Sequence, residues 1–280
     1  MSSKISLKQF LMKSGRFERV YDCVQFIRDG KVSINNKIIT NPNYFFSLKN
    51  PLVKVDNEKA KRVAKLYFLL NKPAGYLSQK SAGEKTIYDL LESLNLAKES
   101  KNSLYAVGRL DKDTEGLMII TNDGRMSDII MHPENELIKK YYAMLEKTID
   151  INKIKILEKG IEITIDEQIL KIARTKSSTS ANNKSAIFDD AQKHASRLKK
   201  WRVFDKYKTK PCRIKVVGEK EIYISISEGK KRQIRLMLEA IGNKVAYLKR
   251  VSIGGLQLGK LKIGEIMSIT KEEIMEKLEI

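Results

Sequence analysis

The stretch from Leu104 to Gly124 constrains the fold more than any other part of the chain. Two strand-like apolar runs, LYAV at 104–107 and GLMIIT at 116–121, bracket the polar segment GRLDKDTE. A chain that leaves one buried strand and enters the next within so few residues must present the intervening carboxylates at the edge of a groove. Asp111 emerges there just past apolar residues, with Arg109 beside it, and Asn122, Asp123 and Gly124 supply a turn at the far end.

Further strand-length runs are LYFLL at 66–70, YYAML at 141–145, RIKVV at 213–217 and IYISIS at 222–227. Helical patterns are fewer: TIYDLLESL at 86–94, RQIRLMLEAI at 232–241 and the tail after Lys271. Strands without regular alternation with helices predict an α+β domain over 65–280 with a mainly antiparallel mixed sheet. Residues 175–210 interrupt this texture as an atypical insertion. Its first part is polar and low in apolar content, and a basic helix ending at Trp201 is expected in its second.

Residues 1–60 read as a separate small unit. Ser6 with Gln9 predicts a capping box for a helix that buries Leu7, Phe10 and Leu11 and stops at Gly15. Phe17, Val20, Tyr21, Val24 and Ile27 predict the apolar face of a second helix, closed by Gly30. Val32 and Ile34 then lead into an Asn35-Asn36 hairpin turn, and LVKV at 52–55 adds a short strand. EKAKR at 58–62 is expected to be a charged linker. Lys13, Arg16, Arg19, Arg28 and Lys31 fall at helix ends or opposite the apolar stripe, where they suit phosphate contacts.

Charge points the same way. Fifty-four Lys and Arg against thirty-four Asp and Glu give a formal net charge of +20 and a pI near 9.7, a field that draws polyanions. Cys23 and Cys212 stand alone, which excludes a disulfide framework and a cysteine-rich zinc site and fits a reduced, cytoplasmic compartment. No run of about 18 apolar residues predicts a membrane span, and MSSKISLKQF lacks a secretory signal. His132 and His194 show no metal-ligand spacing, so no metal is expected.

Several chemistries compete for the letters around Asp111. A calcium loop would place a bidentate glutamate where Asn122 stands, and LMIIT continues as a strand. A DxDxT phosphotransferase motif would need Thr114 one residue later. An aspartate that only satisfies backbone donors in a turn fits the spacing equally well.

The motifs taken together carry a resemblance. GRLDKDTEGLMIITNDG at 108–124 resembles the signature of the RsuA-like group of ribosomal RNA pseudouridine synthases. YFLLNKPAGY at 67–76, HPENELIKKYYAML at 132–145, EGKKRQIRLMLEAIG at 228–242 and LKRVSIG at 248–254 are similar to further segments of that family, in its order. SLKQFLMKSG, the basic helix and DGKVSINNKII resemble the alpha-L RNA-binding module. The resemblance covers nearly the whole chain except 175–210.

The resemblance implies a monomeric enzyme that isomerises uridine in ribosomal RNA, or in a pre-ribosomal particle, by flipping the base into a pocket without cofactor. The large subunit is the expected source of the RNA. The resemblance assigns the essential carboxylate to Asp111, its cationic partner to Arg235, and the ring under the flipped base to Tyr142, with Lys140 as the lysine of the same segment. Arg109 is expected to hold the base out of the helix, and Tyr141 to pack or face solvent. Met144, Leu236 and Tyr247 depart from the family pattern, the last two where a basic residue is usual. On this reading the Asp111 carboxylate must lie between a guanidinium and an aromatic ring. A non-catalytic RNA-binding or ribosome-assembly factor with the same fold is the alternative, and a metal-dependent phosphohydrolase using Asp111 and Asp113 is more remote.

Overall fold

The computed structural model describes residues 4–171 and 199–280. In the N-terminal unit, β1 (Lys4–Ser6) runs straight into α1 (Leu7–Met12). The Gln9 N–H donates to the Ser6 hydroxyl at 3.3 Å, and the Gln9 side chain accepts the Ser6 N–H at 3.4 Å, so the expected capping box forms. Leu7, Phe10 and Leu11 are buried as their spacing predicts.

The second helix, α2 (Val20–Arg28), begins later than its apolar pattern implies. Phe17 packs from the preceding turn against Phe26, ring centroids 5.3 Å apart, so the first helical turn overhangs the core. Val20 and Tyr21 are therefore exposed, and Cys23 and Ile27 form the buried stripe.

Strands β2 (Val32–Ile34) and β3 (Lys37–Ile38) join through Asn35 and Asn36, both at positive φ, as a two-residue hairpin requires. β4 (Phe45–Ser47) pairs with β1. β5 (Val53–Val55) and β6 (Glu58–Ala60) join through a second such turn at Asp56 and Asn57 and complete a sheet in the order β3-β2-β5-β6. The start of the expected linker is thus a strand. A hydrophobic core drawn from Ile5 to Ala60 closes the unit on itself.

The larger unit opens with β7 (Tyr67–Lys72), α3 (Ile87–Leu91), α4 (Lys98–Ser103), β8 (Tyr105–Val107), β9 (Glu115–Thr121), α5 (Gly124–Met131) and β10 (Lys139–Leu145). It continues with α6 (Ile151–Glu158), β11 (Glu162–Lys171), β12 (Lys199–Lys208), β13 (Arg213–Val216), β14 (Glu221–Ile226) and α7 (Gln233–Ala240). β15 (Val245–Ile253), β16 (Leu256–Gln257), β17 (Ile266–Ser268) and α8 (Lys271–Leu278) end it.

The main sheet runs β13-β14-β10-β15-β9-β7-β17, with β8 added beside β9 and β16 beside β15. Every pairing is antiparallel except β9 with β15. A mixed α+β domain with a mainly antiparallel sheet is thus observed. Its centre is covered on both faces. Phe68, Leu70, Met118 and Ile120 enter one core and Tyr67, Leu69, Leu117 and Ile119 the other, so β7 and β9 read as unbroken apolar runs.

The parallel contact depends on Gly116. Its φ is +112°, and a Cβ there would lie 2.2 Å from the carbonyl oxygen of Arg250, its register partner. β11 and β12 pair as a separate antiparallel ribbon. Residues 199–201 are strand where the end of a basic helix was expected. The rest of that predicted helix, like most of the insertion, lies outside the described residues.

The connection between the units is fastened to the end of β9. Leu66 donates its N–H to Asn122 at 2.9 Å, Asn122 donates to the Ala64 carbonyl at 2.8 Å, and Thr121 donates to the Leu66 carbonyl at 2.7 Å. Lys65 reaches the buried Asp123 carboxylate at 2.7 Å. Burial works to raise the Asp123 pKa. Hydrogen bonds from Lys65, Tyr67 and the Arg125 amide outweigh it and hold the carboxyl below its ordinary value.

Candidate active site

A cavity of about 530 Å³ opens on the face of the sheet that carries α7. Residues 77–81, 108–112, Thr114, Tyr141, Ile226, residues 229–235 and Leu248 line it. Asp111 and three cationic side chains, Arg109, Arg232 and Arg235, meet there.

The loop bearing Asp111 is held from beneath. Ser78 donates to the Leu110 carbonyl at 2.7 Å and accepts the Leu110 N–H at 3.0 Å, pinning the residue before the carboxylate. Lys72, the last residue of β7, is fully buried. Its ammonium lies 2.9 Å from the Pro73 carbonyl oxygen, 3.1 Å from that of Asp111, 3.3 Å from that of Lys112 and 2.8 Å from that of Thr114. Burial pushes its pKa down to about 8, against the opposing pull of Asp113, Asp111 and Glu115. The Gly75 N–H adds a bond to the Lys112 carbonyl at 2.7 Å. The main chain around Asp111 is thereby fixed before any ligand arrives.

Asp111 itself is half-buried. Burial raises its pKa, Arg232 lowers it, Asp113 raises it, and Arg235 and Arg109 lower it; burial prevails. Arg235 lies on the first turn of α7 and is buried. Its guanidinium contacts Asp113, not Asp111: Nη2 is 3.1 Å from the Asp113 carboxylate and 3.1 Å from its carbonyl oxygen, and Nη1 donates to the Val245 carbonyl at 3.1 Å. The expected direct pairing with Asp111 is replaced by a grip on the loop two residues later, so Arg235 acts on Asp111 through space. Arg232, which the sequence reading passed over within EGKKRQIR, also approaches the Asp113 carboxylate at 3.4 Å.

The aromatic ring of the site is Tyr141, not Tyr142. On β10, Tyr141 pairs with Ile224 and Arg250 and lines the cavity. Tyr142 pairs with Tyr223 and Lys249 on the opposite face, its ring edge-on to Tyr223 at 5.6 Å and to Tyr247 at 6.1 Å. KKYY fits a lysine–any–tyrosine pattern in two frames, and a slip of one residue turns every side chain to the other face. Lys140, chosen with Tyr142, likewise faces away, over the Tyr223 ring at 4.6 Å. Arg109 is exposed at the cavity's lip.

The five basic residues expected to meet RNA divide in their surroundings. Lys13 and Arg28 are exposed, and Lys31 is exposed beside the Phe26 ring at 4.7 Å. Arg19 pairs with Asp22 at 2.8 Å within α2, and Arg16 is half-buried against Glu58 at 2.6 Å, tying the helical pair to β6. Among the described residues no group of three or more His, Cys, Asp or Glu could hold a metal ion, and no helix is long and apolar enough to cross a membrane.

Residues 66–240 match the sequence family described as RNA pseudouridylate synthase. The ribosomal large subunit pseudouridine synthase B of Bacillus subtilis is 29% identical over 252 residues, covering 89% of this chain and 86% of that protein. The ribosomal small subunit pseudouridine synthase A of Escherichia coli is 27% identical over 250 residues, covering 89% of each. A solved crystal structure of a pseudouridylate synthase superposes with a TM-score of 0.59 at 26% identity, covering 98% of this chain and 99% of the other.

Proposed function

Because the chain belongs to the RNA pseudouridylate synthase family, and is thus an RNA pseudouridine synthase, an isomerase, we propose that it converts uridine in ribosomal RNA with Asp111 as the essential residue. One observation carries this reading. A half-buried carboxylate on a loop clamped by Lys72 and Ser78 shares a cavity with the Tyr141 ring and the guanidiniums of Arg109, Arg232 and Arg235.

A uridine within folded RNA must leave its stack to reach such a cavity. Tyr141 supplies the face on which the extruded uracil rests, and Arg109 at the lip fills the vacated position and meets phosphate. The Asp111 carboxylate acts on the extruded nucleotide in its ionised form. The surrounding guanidiniums favour that form and offset part of the burial that opposes it. Lys13, Arg28 and Lys31 of the N-terminal unit grip the RNA backbone outside the cavity.

Large-subunit RNA is the proposed source. The relative named for that subunit is 29% identical over 252 residues, against 27% over 250 for the relative named for the small subunit. The test is incubation of unmodified ribosomal RNA with the protein, followed by carbodiimide treatment and reverse transcription. New stops in large-subunit RNA are expected, and none with Asp111→Asn, which should retain RNA binding. Stops confined to small-subunit RNA would overturn the subunit assignment. Undiminished binding without any stops would mark an assembly factor instead.

A further inference from the structure

On one face the outer strands β13, β14, β10 and β15 carry the cavity and α7. Across the other face Lys215, Tyr223, Tyr142 and Lys249 stand in one register row. Arg213, Ser225 and Lys140 form the adjoining row. None of these side chains belongs to a hydrophobic core of the described residues. Arg213 and Lys215 are exposed, and the rings of Tyr142 and Tyr223 are half-exposed.

Tyr247 closes the far side of the patch. Its hydroxyl donates to Glu115 at 2.6 Å, and Glu221 lies at the hydroxyl of Tyr142. Both carboxylates sit at the hydroxyl tips of rings. Arg213, Lys140, Lys215 and Lys249 outnumber them and leave the face positive.

A cross-strand aromatic row alone would be explained by sheet stability. Interleaved with cations on a sheet face that no other described element covers at these rows, it has the chemistry of a single-strand nucleic-acid platform, where bases lie on rings and phosphates meet lysine and arginine. We propose that this face is a second RNA contact, binding unpaired nucleotides that flank the target. β13 is the edge of the sheet, and the cavity's Tyr141 strand lies two strands in, about 10 Å at ordinary strand spacing. A strand leaving the cavity rounds this edge past Arg213 and Lys215 onto the tyrosines. The assignment rests on the chain acting on RNA, but it concerns a surface on which isomerisation does not depend.

The test uses the full chain and a fluorescein-labelled oligouridylate of about a dozen nucleotides, the length scale of such platforms. Tyr223→Ala should weaken its binding roughly tenfold, the effect of losing one stacked base. Tyr223→Phe should restore it. Lys215→Gln should lower the dependence of log affinity on log salt by about one. Photocrosslinks from the wild-type protein should map to the peptides carrying Tyr142 and Tyr223. Binding of a blunt double-stranded RNA should not change.

Wild-type affinity of Tyr223→Ala for the oligouridylate would overturn the proposal, as would an equal loss on the double-stranded probe. If Tyr223→Ala does not fold, the wild-type crosslinks and the Lys215→Gln titration decide; crosslinks only at the cavity or within residues 4–60 would overturn it. Formation of pseudouridine in ribosomal RNA is scored separately, so an inactive protein that still binds the oligouridylate here refutes the catalytic reading and not this one.

Discussion

Lys72 places its buried ammonium 3.1 Å from the backbone carbonyl oxygen of Asp111. A cation with no salt bridge among the described residues thus sits directly under the residue proposed to do the chemistry, solvated by main-chain oxygens. It sets the loop's shape while leaving the Asp111 side chain free to face the cavity.

Lys72→Met should therefore destabilise the protein and disable it together. Losing the donor leaves the buried Thr114 carbonyl and the partly buried Pro73 carbonyl unmatched, a cost of roughly 2–4 kcal/mol. Urea denaturation measures the loss, and turnover of the surviving folded fraction should fall with it. A variant as stable and active as the parent would show that the loop holds its shape unaided.

Substitutions at the two adjacent tyrosines should separate the faces of β10. Tyr141→Ala removes the ring that lines the cavity and should lower single-turnover rates on a target hairpin by roughly 10- to 100-fold, the worth of one aromatic–base stack. Tyr141→Phe should retain most of the rate. At saturating protein, Tyr142→Ala should stay within about twofold on the same hairpin, since a stack lost on the outer face weakens binding but leaves the cavity's contacts intact. Equal losses at both positions would contradict the placement.

Asp111→Asn should be inactive yet more heat-stable than the wild type at pH 7. Burial lifts the Asp111 pKa above its ordinary value. Between the two values the native state binds the proton more tightly than the unfolded chain, so stability falls as pH rises through that interval. The amide avoids this loss, and its advantage should disappear below about pH 4, where the unfolded carboxyl is also protonated. Melting curves across that range would refute the sign if the variant melts lower at neutral pH.

Gly116→Ala and Gly75→Ala make a controlled pair. Both glycines have positive φ, but a Cβ at residue 116 meets the Arg250 backbone at 2.2 Å, whereas nothing lies within 4 Å of one at residue 75. The second change should cost about 1–2 kcal/mol from conformation alone. The first should exceed it by at least about 2 kcal/mol because β9 and β15 must separate. Equal melting temperatures would show that the parallel pair relaxes freely.

What the sequence made legible follows from how local each signal is. The Ser6–Gln9 box, the Asn35-Asn36 turn and the strands on either side of Asp111 rest on short-range rules and stand where expected. Asp123 was read within a turn, yet it caps α5, because the same Asx geometry serves both ends. Tyr141 was hidden by the repeated KKYY letters, which only strand pairing orients. The Arg235 contact with Asp113 and the burial of Lys72 join residues 39 to 122 positions apart, and no periodicity encodes such a meeting. For Lys72 the one hint was a lysine two residues past the apolar run FLL.

The anchoring of residues 64–66 on Thr121, Asn122 and Asp123 turns a join between two units into a fixed spacer. With slack removed, Lys13 and Lys31 and the Asp111 cavity keep one separation, as the jaws of a caliper do once locked. On the proposed reading, a transcript whose landmarks lie at another interval must bend to fit, and the energy of that bending becomes part of how the protein chooses its nucleotide.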